Sequence, residues 1–138
     1  MRTIPAVREL TFTTTKPTEL IDITQQVKDL VAEIGTGTAA LIYAPHTTAA
    51  VTINEKIDPI LVEDLEEALT RLAGDPVHFR HDDKDGPNGT AHLRSTLVGP
   101  QQLVPIGPEG LTLGTYQAIF FCEFDGPRER RVIVTTLQ

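Results

Sequence analysis

The stretch Tyr116-Gln117-Ala118-Ile119-Phe120-Phe121-Cys122-Glu123-Phe124, Asp125-Gly126-Pro127-Arg128, then Arg131-Val132-Ile133-Val134-Thr135-Thr136-Leu137 decides the fold class. Two runs rich in aromatic and β-branched residues flank a short run of turn formers. This predicts strands over 116–124 and 131–137 joined by a hairpin-type connection. Strand alternation sets Glu123 on the same face as Ile119 and Phe121. A carboxylate amid such neighbours is either turned to solvent or desolvated for a purpose.

Working upstream, Leu103–Ile106 reads as a short strand, placed at an edge or an end by Pro105. Ala91–Val98 reads as a short helix stopped by Gly99-Pro100, and 81–90, dense in charge and turn formers, as a loop. Asp58 followed by Pro59 opens a helix with the apolar stripe Ile60, Leu61, Leu65, Ala68, Leu69 and Leu72, closed by Gly74-Asp75-Pro76. Glu63, Asp64, Glu66 and Glu67 in its N-terminal half suit the helix dipole. Strands are expected at 38–43 and 50–53. The first is nearly continuously apolar, as a strand covered on both faces would be. Ile23, Val27, Leu30, Val31 and Ile34 recur at helical spacing behind Asp22 and Gln25, a pair resembling a capping box, and Gly35 ends the helix. Residues 7–14 alternate as a half-buried strand.

Strands in groups rather than in strict alternation with helices favour α+β over a doubly wound parallel sheet. The expected architecture is one domain over 1–138, with a large mixed β-sheet and two main helices at roughly 22–34 and 58–73. Two helices cannot cover both faces of such a sheet, so a homo-oligomer is expected.

The chain has 138 residues, 40% hydrophobic and 22% charged. That is room for one domain with a proper core and too little for a (β/α)₈ barrel. A net charge of −7 makes nucleic acid a poor partner. One cysteine, Cys122, excludes an internal disulfide framework. No run approaches membrane-span length, and the first ten residues lack a signal-peptide core, so a cytoplasmic protein with no membrane partner is expected.

Three of the four histidines fall near element ends or loops: His46 after Pro45, His81 at the head of the acidic segment, and His92 in the short helix after it. Imidazoles from separate elements are one way to hold zinc. Alternatively, each histidine makes its own surface or capping hydrogen bond. Glu55, Asp82, Asp83 and Asp85 supply oxygen ligands that suit magnesium bridged to a diphosphate, or they are solvated surface charge. Arg128, Arg130 and Arg131 form the dense basic patch, able to fork onto phosphate or simply to mark a charged hairpin end. Gly35-Thr36-Gly37-Thr38 lacks a P-loop lysine, and Ser95, the sole serine, is not in a nucleophile elbow.

Read together, Pro45-His46-Thr47-Thr48-Ala49-Ala50, Asn54-Glu55, Asp58-Pro59, His81-Asp82, Ala91-His92-Leu93-Arg94-Ser95, Gly114-Thr115-Tyr116-Gln117, Glu123 and Arg128-Glu129-Arg130-Arg131 resemble the YjbQ-like family over nearly the whole chain. The resemblance implies an α+β homotrimer. Members are commonly named secondary thiamine-phosphate synthases, which implies joining an aminopyrimidine diphosphate to a thiazole phosphate with release of diphosphate. Tyr116 stands where the family usually has tryptophan, and 83–90 follows no family pattern. Residues and resemblance together nominate Glu55, Asp82 and Glu123 as catalytic. They nominate Asn88, Ser95, Gln117 and Arg128 as contacts to a phosphorylated small molecule. His46, His81 and His92 are nominated to converge on one divalent metal, zinc rather than magnesium. A metal-dependent hydrolase and a non-catalytic metal- or ligand-binding trimer are the alternative functions.

Overall fold

Residues 6–56, 58–72 and 79–138 are described by a computed structural model. His78 and the helix stop Gly74-Asp75-Pro76 lie outside them. In chain order the elements are β1 (Val7–Thr13), β2 (Glu19–Asp22), α1 (Thr24–Ile34), β3 (Ala39–Tyr43), β4 (Ala49–Glu55), α2 (Pro59–Arg71), α3 (Arg80–Asp85), α4 (Gly89–Val98), β5 (Gln101–Gly107), β6 (Gly110–Leu111), β7 (Gln117–Glu123) and β8 (Glu129–Leu137).

The α+β class holds, and the strands divide between two sheets. One has the order β1-β8-β3-β5-β6, the other β2-β7-β4, and every pairing is antiparallel. The expected single sheet of mixed direction is corrected accordingly. So is the expected hairpin, because β7 and β8 lie in different sheets. The 125–128 turn bonds to the segment after β1 instead. Thr14 N–H donates to the Arg128 carbonyl at 2.9 Å, and Gly126 N–H to the Pro17 carbonyl at 3.2 Å. The turn therefore carries the chain from one layer to the other.

Alternation along each strand then fixes the layers. Ile119 and Phe121 of β7 face Val132 and Val134 of β8, Ala40 and Ile42 of β3, and Val27 and Val31 of α1 in one core. Ala118, Phe120 and Cys122, on the other face of β7, pack with Leu20, Ala50 and Ala91 under the partly buried Val62, Leu65 and Leu69 of α2. β7 is thus the central strand of the molecule, apolar on both faces.

Local chemistry explains the elements the sequence misplaced. β2 is short, and its edge is closed by α2: the Glu66 carboxylate accepts Leu20 N–H at 2.8 Å and Lys16 Nζ at 2.9 Å. No acidic residue lies in the first turn of α2, so Glu66 acts as an edge cap rather than as a dipole partner. Asp22 ends β2 and accepts Thr24 N–H at 2.9 Å, while Gln25 reaches Asp29 at 2.9 Å, so no reciprocal capping box forms. Asp58 caps α2 through Ile60 N–H at 2.9 Å, as expected. The expected loop at 81–90 is largely helical. Asp82 and Asp83 stabilise the first turn of α3, and the Asp82 carboxylate accepts Gly89 N–H at 2.7 Å at the start of α4.

Val7, Leu41, Tyr43, Leu103, Ile133 and Leu137 share the outer face of the five-stranded sheet. Leu103 keeps 56% of its surface and Val7 54% in the isolated chain.

Candidate functional site

Glu123 and Arg130 are the charged centre of the molecule, 0% and 4% exposed. They come from different sheets and meet in the shared core. Glu123 Oε1 accepts from Thr14 Oγ at 2.8 Å and Arg130 Nε at 2.8 Å; Oε2 accepts from Asp125 N–H at 3.0 Å and from Arg130 Nη2. These four bonds saturate a carboxylate. Arg130 Nη2 continues to Thr48 Oγ at 2.9 Å and to the Thr48 carbonyl at 3.2 Å. Burial alone pushes the Glu123 carboxyl up, but the bonds from Arg130, Asp125 and Thr14 outweigh it and hold the group below its ordinary range. A saturated, ionised and buried carboxylate has neither a proton to give nor a lone pair to offer. Through these bonds Glu123 and Arg130 tie the 125–128 turn to Thr48.

The turn so held carries Asp125 and Arg128. Arg128 donates through Nε to the Asp125 carbonyl at 2.9 Å and through Nη2 to Asp125 Oδ2 at 3.0 Å. Asp125 Oδ2 also accepts from Asn88 Nδ2 at 3.2 Å, and Asn88 Oδ1 lies 2.7 Å from His81 Nε2. A carboxylate only accepts, so the Asn88 amide turns its NH₂ to Asp125 and its oxygen to His81, and Nε2 of His81 carries the hydrogen. His92, one helical turn after Asn88, stands edge-on to His81, with ring centroids 4.9 Å apart and planes at 83°. Asp125 is the residue that sequence reasoning missed. In sequence it reads as an ordinary turn former, and only the fold sets it between Asn88 and Arg128.

His46 stands on the loop after β3. Its Nε2 lies 3.1 Å from Arg131 N and 3.0 Å from the Arg131 carbonyl, and its ring meets Phe121 edge-on at 6.2 Å. Burial lowers its pKa, outweighing the carbonyl. The neutral ring then accepts the Arg131 N–H.

His46, Tyr43, Pro45, Thr47, Thr48, Arg128 and Arg130 line an open polar cleft of about 510 Å³. The three clustered arginines are each matched by an acid: Arg128 by Asp125, Arg130 by Glu123, and Arg131 by Glu9 at 3.4 Å. The patch is therefore a set of ion pairs rather than bare positive charge.

The remaining nominated residues serve structure or lie elsewhere. Ser95 Oγ donates to the Ala49 carbonyl at 2.7 Å and ties α4 to β4. Asp82 ties α3 to α4 through Gly89, as above. Gln117 Oε1 accepts Gly114 N–H at 2.8 Å and closes its own turn. Glu55 is exposed and pairs in register with Gln117, whereas Ala49, at the other end of β4, pairs with Glu123. Six strand steps of about 3.3 Å separate the two ends by roughly 20 Å. Within one chain, Glu55 and Gln117 do not share a site with the histidines. Among the described residues, no group of three or more His, Cys, Asp or Glu is arranged to hold a metal ion.

Fold and site together define an α+β protein of two antiparallel sheets, with a polar corner where the sheets are clamped. The chain belongs to the UPF0047 protein YjbQ-like family, which matches residues 8–138. It is 47% identical over 129 residues to a UPF0047 protein of Archaeoglobus fulgidus, covering 94% of this chain and 99% of that one. It is 44% identical over 125 residues to the UPF0047 protein YugU of Bacillus subtilis, covering 90% and 93%. A YbjQ-like protein of unknown function from Sulfolobus solfataricus has a similar structure, with a TM-score of 0.88 at 33% identity over 94% of each chain. A hypothetical protein from Aeropyrum pernix also gives a TM-score of 0.88, at 34% identity, covering 96% and 99%.

Proposed function

We propose that the cleft beside His46 and Arg128 is the active site of a transferase acting on a phosphorylated small molecule. The specific reaction proposed is of the thiamine-phosphate synthase type, joining an aminopyrimidine diphosphate to a thiazole phosphate. One observation carries this reading. The half-exposed Arg128, its plane fixed by two bonds to Asp125, lines a cleft with an imidazole and the Thr47–Thr48 segment. The volume of about 510 Å³ suits a small ligand. A preorganised guanidinium stabilises charge as it gathers on departing diphosphate, without first reorganising. Asp125 lowers the net charge of the cleft, so affinity rests on geometry more than on bulk attraction.

The catalytic unit is proposed to be a cytoplasmic homotrimer, supported by the uncovered apolar face of the five-stranded sheet. Tyr43 belongs both to that face and to the cleft lining, so a copy docked there would border the cleft.

The test is diphosphate release from the two precursors by the purified protein. The expected result is turnover that falls at least tenfold in Arg128→Ala and His46→Ala, with the fold retained by circular dichroism. Absence of product from the folded wild-type protein removes the thiamine reading.

A further inference from the structure

We propose that the cavity between the C-terminal half of α1 and the β5–β6 hairpin binds a free α-amino acid with an apolar side chain. The site is separate from the cleft and independent of the reaction performed there.

Two well-tied elements form its walls. Lys28, Val31 and Ala32 of α1 and Ile106, Glu109 and Leu111 of the hairpin line a volume of about 430 Å³, room for a ligand of amino-acid size. α1 closes where Gly35 N–H returns to the Val31 carbonyl at 3.0 Å. The hairpin is held by its Ile106–Leu111 and Gly107–Gly110 pairs. Thr112 adds two bonds to the Pro105 carbonyl, from N–H at 3.0 Å and from Oγ1 at 3.1 Å. Ile106 N–H donates to the Thr38 carbonyl at 2.9 Å, which ties the hairpin to the segment after α1. A ligand therefore enters a preformed space and has little chain to order. The floor is the edge of the main core: Val31 is buried in it, and Ile106 and Leu111 pack against it while keeping part of their surface uncovered. Gly37, also in the lining, lies against Thr136 and Leu137, at the far end of β8 from Arg131. Six strand steps of about 3.3 Å set it roughly 20 Å from the end of β8 that borders the cleft.

The charges select the ligand. Lys28 and Glu109 line the same cavity, yet among the described residues neither forms an ion pair, with the other or with a third group. α1 has no basic residue in its last turn, so the partial negative charge of its C-terminal carbonyls meets no cation from its own side chains beside Ala32 and Gly35. A ligand with a single charge answers one of these groups and leaves the other facing its like. A zwitterion answers both: its ammonium goes to Glu109 and the helix end, its carboxylate to Lys28, whose flexible stem follows it. The apolar floor takes the side chain, which favours an aliphatic or aromatic amino acid over glycine.

The experiment titrates L-valine, L-leucine and L-phenylalanine in turn into the full-length protein and follows the backbone ¹H–¹⁵N signals of Gly35, Gly37, Gly107 and Gly110. Saturable shifts at these glycines are expected with at least one of the three. N-acetyl-leucine, which lacks the ammonium, and leucinamide, which lacks the carboxylate, should each bind at least about tenfold more weakly than leucine, as loss of a charge-assisted bond does. Glycine should bind more weakly still. Lys28→Gln and Glu109→Gln should each weaken binding by a similar factor, with the fold retained by circular dichroism. Ala32→Leu, which adds bulk at an exposed helix position, should abolish it. Absence of saturable shifts with all three amino acids would overturn the proposal. Equal binding of leucine and its two blocked forms would overturn it too, as would unchanged binding in folded Lys28→Gln and Glu109→Gln. The titration uses no phosphorylated substrate, so its outcome is read whether or not the coupling assay yields product.

Discussion

At the scale of single residues, the Glu123–Arg130 pair shows how burial changes the meaning of a charge. A surface pair contributes about 0–1 kcal/mol. This one is enclosed and saturated, so removing one partner strands the other in the core. Arg130→Met should cost about 3–5 kcal/mol in urea denaturation, whereas the double variant Glu123→Leu/Arg130→Met should recover much of the loss. The carboxyl is held below its ordinary value, so its contribution is complete above the unfolded Glu pKa of about 4.3. That contribution fades as pH falls from there through the folded value. The midpoint of urea unfolding should therefore drop across this acid window, and Glu123→Gln should flatten the drop. An unchanged acid profile in Glu123→Gln would contradict the linkage. Sequence alternation placed Glu123 correctly on the face of Ile119 and Phe121. It could not show that Arg130 waits on the opposite sheet, because the partner is set by how the layers stack.

At the scale of elements, helices α3 and α4 bring His81, Asn88 and His92 together, and Gly89 is their hinge point. A methyl group at Gly89 must displace Phe79 or break the Asp82 contact. Gly89→Ala is expected to destabilise by about 1–3 kcal/mol, the usual cost of overpacking. In NMR spectra it should shift the ring signals of His81 and His92 more than that of His46. Equal shifts in all three would mean that the histidines respond as one group. The acidic segment read as a loop because its turn formers outweigh any helical periodicity over so short a span. α3 exists through its tertiary ties: the first-turn acids and the bond to Gly89. β2 escaped notice for a related reason: four residues carry too little pattern, and its pairing with β7 and the Glu66 cap make it a strand.

At the scale of the whole molecule, the two sheets enclose one core and α2 and α4 lie over another, which leaves the outer face of the larger sheet open. Leu103 and Leu41 are directly paired there, with Tyr43 opposite Ile133. If this face is the seam of the proposed trimer, Leu103→Lys should shift the protein towards monomer in light scattering at micromolar concentration while far-UV circular dichroism stays unchanged. A wild-type monomer, or a trimer indifferent to Leu103→Lys, would remove this face as the seam. Burial of Leu103 and its neighbours offers about 25 cal/mol per Å² of apolar surface removed from water, so a charge at the centre of the seam is costly.

Periodicity by itself determined the α+β class, the core strands and the first two helices, because a 2- or 3.6-residue repeat is a local record of which side faces the core. It also placed Asp58 and Gly35 as helix ends, since a cap acts within a few residues of itself. Tertiary structure alone decided that the final two strands part into separate sheets and that Glu55 and Gln117 stand a strand's length from the histidines. It alone paired His81 with His92 while His46 turns to the backbone of β8. Those outcomes depend on contacts between residues far apart in the chain, 85 positions for His46 and Arg131 and 114 for Thr14 and Arg128. A local pattern carries no information about which distant segment will supply the partner; the packing of the layers does.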